Sequence, residues 1–139
     1  RVSFPQAQGY VQWLSQKTGA VYRLPNDKEG NAWHEKARDL ASKENTLQYW
    51  AGYTLNPSDA AALQAKAASL TTSLYKPVGS FAAAKIGEAE IYDLGGNVAE
   101  YYGDKGMTYG YSAYDWSDPA NSEAKTQDGR KGFRVVKER

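Results

Sequence analysis

Cysteine is absent from this 139-residue chain. That excludes disulfides, thiolate metal sites and thiol nucleophiles together. The absence suits a bacterial cytoplasm and an envelope compartment equally and selects neither. Histidine occurs once, at His34. A histidine metal centre or a nucleophile–base pair therefore has no second imidazole to draw on, and His34 reads as a partly exposed helical side chain. No long apolar run is present, so this segment has nothing suited to membrane insertion as a helix. An excess of one charge sign is also lacking, with 17 Lys and Arg against 16 Asp and Glu. The basic residues are scattered, and nothing marks a nucleic-acid partner. The basic tail Arg130, Lys131, Arg134, Lys137 and Arg139 reads as a solvated edge. What the chain has in quantity is aromatic surface, with 11 Tyr and 4 Trp. Such side chains fill cores or build rigid binding surfaces. The length is enough for one domain with its own core.

Helices are announced by their caps. Ser3-Phe4-Pro5-Gln6 carries a capping box with proline in the first turn. Ala7, Tyr10, Val11 and Leu14 follow at helical spacing, and Gly19 suits the left-handed closing position. Ala20–Leu24 alternates as a short strand stopped by Pro25. Asn26-Asp27-Lys28-Glu29 repeats the cap and opens a helix with Trp33, Ala37, Leu40 and Ala41 on its apolar stripe. Gly30 inside that helix predicts close packing against its backbone. Tyr49, Trp50 and Tyr53 are expected to anchor the next segment by aromatic packing. Asn56-Pro57-Ser58-Asp59 starts a third capped helix with Ala60, Leu63, Ala67 and Leu70 on one face. Lys76–Ser80 reads as an extended turn, and Gly132–Lys137 alternates as a terminal strand. Helices first and irregular β structure afterwards make the class α+β.

The stretch Asp93-Leu94-Gly95-Gly96-Asn97-Val98-Ala99-Glu100-Tyr101-Tyr102 joins a glycine pair to two oxygen-bearing side chains, Asn97 and Glu100, at i and i+3. The glycines permit a sharp turn. Two readings follow. Asn97 bonds neighbouring amides in a structural turn with Glu100 solvated, or the two side chains contribute hard oxygens to a calcium ion.

Val2-Ser3-Phe4, Tyr10–Ser15, Thr18-Gly19, Tyr22–Pro25 and Glu29 resemble the formylglycine-generating-enzyme (sulfatase-modifying factor) domain. Pro77–Ser80, Tyr92–Glu100 and Gly132–Val136 continue the resemblance in the family's order. It implies a C-type-lectin-like fold with a ligand groove built from loops. It also implies a structural calcium (Ca2+) site, with Asn97 and Glu100 ligating through side chains and Val98 through its carbonyl. The family's oxidases bind copper through two cysteines. In an approximate register those positions fall near Tyr111 and Trp116, which cannot replace thiolates at Cu(I), so no copper and no formylglycine generation are expected. The family's domain normally begins upstream of the Val-Ser-aromatic motif. The chain is therefore expected to be the C-terminal part of a single domain within a larger bacterial protein. The remaining strands would come from a missing N-terminal segment or a companion chain, pairing with Phe133–Lys137.

Two functions of different class follow from the resemblance. In the first, Tyr109, Tyr111, Tyr114 and Trp116 line a groove for a peptide or small ligand in a non-catalytic binding module. In the second, the chain is a cysteine-free metal- or oxygen-dependent enzyme of the pyoverdine-maturation or ergothioneine-synthase-like branch. Its site would be completed upstream, with Tyr111, Asp115 and His34 as the local candidates.

Overall fold

The computed structural model describes residues 1–118, 120 and 129–139. The first helix, α1 (Phe4–Thr18), starts where its cap requires: Ser3 Oγ accepts from the Gln6 amide and Gln6 Oε1 accepts from the Ser3 amide. Gly19 closes it at φ 71°, a left-handed value that glycine adopts without strain. Asn26 and Glu29 form the same reciprocal box at the head of α2 (Asp27–Leu40). The short α3 (Leu47–Ala51) is capped by Thr46, and α4 (Pro57–Ala68) by Asn56 with proline in its first turn. Leu70 lies past the end of α4 and is exposed, so the expected stripe on that helix stops at Ala67.

The strands are short: β1 (Tyr22–Arg23), β2 (Ala84–Ile86), β3 (Ala89–Ile91), β4 (Ala99–Tyr102), β5 (Met107–Tyr109), β6 (Lys131–Gly132) and β7 (Val136–Lys137). They form a β1–β7 pair, a β2–β3 hairpin and a three-stranded sheet in the order β5-β4-β6. In that sheet β5 runs antiparallel to β4 and β6 runs parallel to it. The chain is thus α+β, with small sheets and short strands. The terminal strand expected over Gly132–Lys137 is two strands in two sheets. Between them Phe133–Val135 leaves the ladder, and Arg134 reaches inward to β4. Among the described residues no helix is long and apolar enough to cross a membrane.

The core has two parts. Leu47, Leu55, Ala60 and Ala67 pack beneath α3 and α4. Ala84, Leu94, Tyr102 and Tyr109 pack under α2, with Trp33 and Leu40 laid against them. Gly30 lets α2 sit directly on this second core. A Cβ there would stand 2.1 Å from the Tyr102 ring. Of Tyr49, Trp50 and Tyr53, the first two pack ring on ring as expected, but at the surface. All three are substantially exposed. Tyr49 packs edge-on against Trp50 and Phe81, at ring separations of 5.1 and 4.8 Å, on the surface.

Candidate functional site

The glycine pair is needed for closeness, not for unusual angles. A Cβ on Gly95 would lie 2.8 Å from Leu40 Cβ and 2.9 Å from the Ala37 carbonyl. One on Gly96 would lie 2.7 Å from the Asn45 amide nitrogen. The left-handed residues are the flanking Asp93 (φ 53°) and Asn97 (φ 71°). Aspartate and asparagine tolerate that region better than other side chains do. The turn is therefore pressed onto the end of α2 and the segment after it.

Asn97 is buried, and hydrogen bonds use its side chain on both faces. Its Oδ1 accepts from Asn45 Nδ2 and from the Lys76 amide, each at 3.0 Å. Its Nδ2 donates to the Lys76 carbonyl at 3.0 Å. The backbone joins in: the Asn97 amide donates to the Asn45 carbonyl, and the Asn97 carbonyl accepts from Ala113, both at 2.9 Å. Asn45, wholly buried, also donates to the Leu74 carbonyl and accepts from Trp50 Nε1 at 2.8 Å. Two amides thus tie together four stretches of irregular chain that have no ladder to pair with. Buried polar groups require such partners.

Glu100 is buried too, but it faces elsewhere. It stands opposite Tyr109 in the β4–β5 register, so the two side chains share a face. Its Oε2 accepts from Tyr109 Oη and from Arg134 Nε. Arg134 also donates from Nη2 to the Tyr92 carbonyl at 3.1 Å and to the Asp93 carbonyl at 3.4 Å. One guanidinium therefore binds the entry and the exit of the turn. Burial chiefly, and the Glu100 charge next, push the Tyr109 phenol far up, so it stays a hydrogen-bond donor.

This arrangement bears on calcium. A calcium shell takes six to eight oxygens, whereas Asn97 and Glu100 serve separate partners. Asn97 Oδ1 already has two N–H donors, and the Glu100 oxygen meets the chain's own cation. As placed here, both side chains are engaged by the protein's own donors. Among the described residues no group of three or more His, Asp or Glu is placed to hold a metal.

Two further carboxylates lie beneath the turn. Glu44 is 1% exposed, and its Oε2 accepts from the Gly95 amide at 2.6 Å. Asp93 Oδ2 accepts from the Gly79 amide at 3.2 Å. The other oxygen of each is buried with no hydrogen-bond partner. Burial pushes both carboxyls above the usual range, with the amide bonds opposing it. Neither residue stands out in the sequence as more than a surface acid.

The four aromatics do not meet in one groove. Tyr109 is completely buried and Tyr111 is 4% exposed. They hold the Gly110–Ser117 segment from below, with Tyr111 packed on the His34 ring at 5.7 Å. Tyr114 and Trp116 are half-buried and each walls a cavity. The Trp116 cavity holds about 470 Å³ and includes Glu35, Arg38, Asp39, Gln48 and Ser117. The Tyr114 cavity holds about 320 Å³. The segment between them is fixed by a bond of its own and by bonds to α3. Asp115 Oδ2 accepts from Ser112 Oγ at 2.6 Å, the Asp115 carbonyl accepts from Leu47, and the Ser117 amide donates to Gln48 Oε1 at 2.9 Å. Of the enzyme candidates, His34 and Tyr111 touch, while Asp115 is committed to Ser112 and Arg130.

A family model described as the sulfatase-modifying factor enzyme 1-like domain matches residues 1–139. Comparison with curated proteins and with solved structures gives no match.

Proposed function

Starting from the fact that the chain belongs to the sulfatase-modifying factor enzyme 1-like domain family, we propose that it is a non-catalytic ligand-binding module with the family's C-type-lectin-like fold. The absence of cysteine supports this reading, because the copper chemistry implied by the resemblance needs two thiolates. The observation that carries it is the Gly110–Ser117 segment. Tyr111 and Asp115 anchor the segment in the interior, while Tyr114 and Trp116 open onto cavities on its two sides. A loop held this firmly loses little conformational freedom when a ligand arrives, and half-exposed aromatics are the residues that anchor ligands. In the proposed module the turn beneath is held by Asn45, Lys76 and Arg134, so calcium has no structural part.

The test is elemental analysis with oxygen uptake on the purified chain. Sub-stoichiometric copper and iron after dialysis, with no oxygen consumed in the presence of thiol reductant, is the expected result. Stoichiometric redox metal, or reductant-dependent oxygen uptake abolished by Tyr111→Phe, would show an enzyme instead.

A further inference from the structure

The described residues that line the cavity beside Tyr114 carry one sign of charge. Its charged lining residues are Arg1 and Arg130, its rings are Tyr75 and Tyr114, and Ala67, Ala68 and Leu70 supply apolar wall. Among the described residues no carboxylate lines it. The Arg130 guanidinium carbon lies 4.6 Å from the centre of the Tyr114 ring, and Tyr75 packs edge-on against the same ring at 5.4 Å. The Arg130 side chain keeps 20% of its exposure, so its charge is only partly screened by water. Among the described residues its carboxylate neighbour is Asp115, at 3.8 Å from Nη1. That is an ion-pair distance beyond hydrogen-bond range, and Asp115 gives its other oxygen to Ser112. Tyr114 Oη accepts from the Leu74 amide at 3.0 Å, which leaves its own proton for another acceptor.

We propose that this cavity binds the oxyanion of a small molecule, a carboxylate or a phosphate, through Arg130 and Tyr114 Oη. Arg1 adds positive charge at the rim, and an apolar body on the ligand rests against Ala67, Ala68 and Leu70. The assignment rests on the binding-module reading and gives one of its two cavities a ligand class. A guanidinium fork meets carboxylate and phosphate oxygens with the same two parallel N–H bonds. The volume suits a single-ring compound rather than a long chain.

The experiment titrates the full chain with benzoate, phenyl phosphate and the neutral isostere benzyl alcohol, following backbone amide shifts at low and high salt. Benzoate and phenyl phosphate should shift the amides of residues 67–70, Tyr114 and Arg130, and the tighter of the two identifies the oxyanion source. Benzyl alcohol should bind at least about tenfold more weakly, the loss expected when charge-assisted hydrogen bonds are removed. Arg130→Gln should weaken the anion by a similar factor while Arg130→Lys recovers part of it, and Tyr114→Phe should cost a few-fold. Should Arg130→Gln fail to fold, the wild-type comparison of benzoate with benzyl alcohol, and its salt dependence, decide the question alone. Equal binding of acid and alcohol, no shifts with either anion, or unchanged affinity in Arg130→Gln would overturn the proposal. None of those outcomes bears on redox metal or oxygen uptake, so the module reading stands or falls separately.

Discussion

Replacing Asn97 by alanine separates a turn held by protein from a turn held by calcium. The substitution removes three side-chain hydrogen bonds, to the Lys76 amide, the Lys76 carbonyl and Asn45 Nδ2. At about 1 kcal/mol each the loss is about 3 kcal/mol. Alanine must also hold φ 71° without asparagine's tolerance for that region, which adds about 1 kcal/mol. The sum, about 4 kcal/mol, corresponds to a melting temperature lowered by roughly 10–15 °C for a chain of this size. The assay is thermal and urea unfolding of wild type and variant, each with excess calcium and with chelator. Asn97→Asp sharpens the comparison. Aspartate would serve a calcium ion at least as well as asparagine, but here it loses the bond to the Lys76 carbonyl and buries a charge. It should therefore also destabilise, with or without calcium. A wild-type melting temperature that falls with chelator, an Asn97→Asp variant rescued by calcium, or an Asn97→Ala variant within about 0.5 kcal/mol of wild type would refute the reasoning.

Arg134→Met should cost about 3–5 kcal/mol because it leaves Glu100 buried without its cation; adding Glu100→Gln should recover part of that loss in a double-mutant cycle read by urea unfolding. Gly30→Ala should destabilise by about 1–3 kcal/mol despite the better helix propensity of alanine, since the new methyl falls on the Tyr102 ring. The pH dependence follows from Glu44 and Asp93, whose folded-state carboxyls are raised chiefly by burial. Groups raised in this way favour folding below their unfolded pKa of about 4, and that contribution is lost as pH rises through the folded values. Glu44→Gln should therefore be more stable than wild type at pH 7, with the difference shrinking on acidification; a difference that grows toward acid would reverse the assignment.

The helices were legible because their caps are local. Ser3 with Gln6, Asn26 with Glu29, and Asn56 each satisfy amides within three residues, so the sequence contains both partners. The β2–β3 hairpin was legible in principle, from Gly87-Glu88 between Lys85-Ile86 and Ala89-Glu90, but its strands are too short to show alternation. The glycine pair advertised a special backbone, yet its cause lies in Ala37, Leu40 and Asn45, at least fifty residues earlier. Arg134 reads as one more residue of an alternating strand, and only the β4–β6 pairing brings it to Glu100. The aromatic run from Tyr109 to Trp116 shows no period that separates inward from outward. Burial of Tyr109 and Tyr111, and exposure of Tyr114 and Trp116, depend on which loops close over them. Partners distant in sequence set all three outcomes.

The central claim is that a rigid Gly110–Ser117 segment presents a binding face. Backbone amide shift mapping of the full chain against a panel of single-ring fragments and short peptides tests it most directly. The account predicts perturbations concentrated at Tyr114 and Trp116 and at the residues facing them across the two cavities, among them Arg130 and Gln48. Perturbations confined to the exposed Tyr49, Trp50 and Tyr53 surface, or none anywhere in the panel, would contradict it.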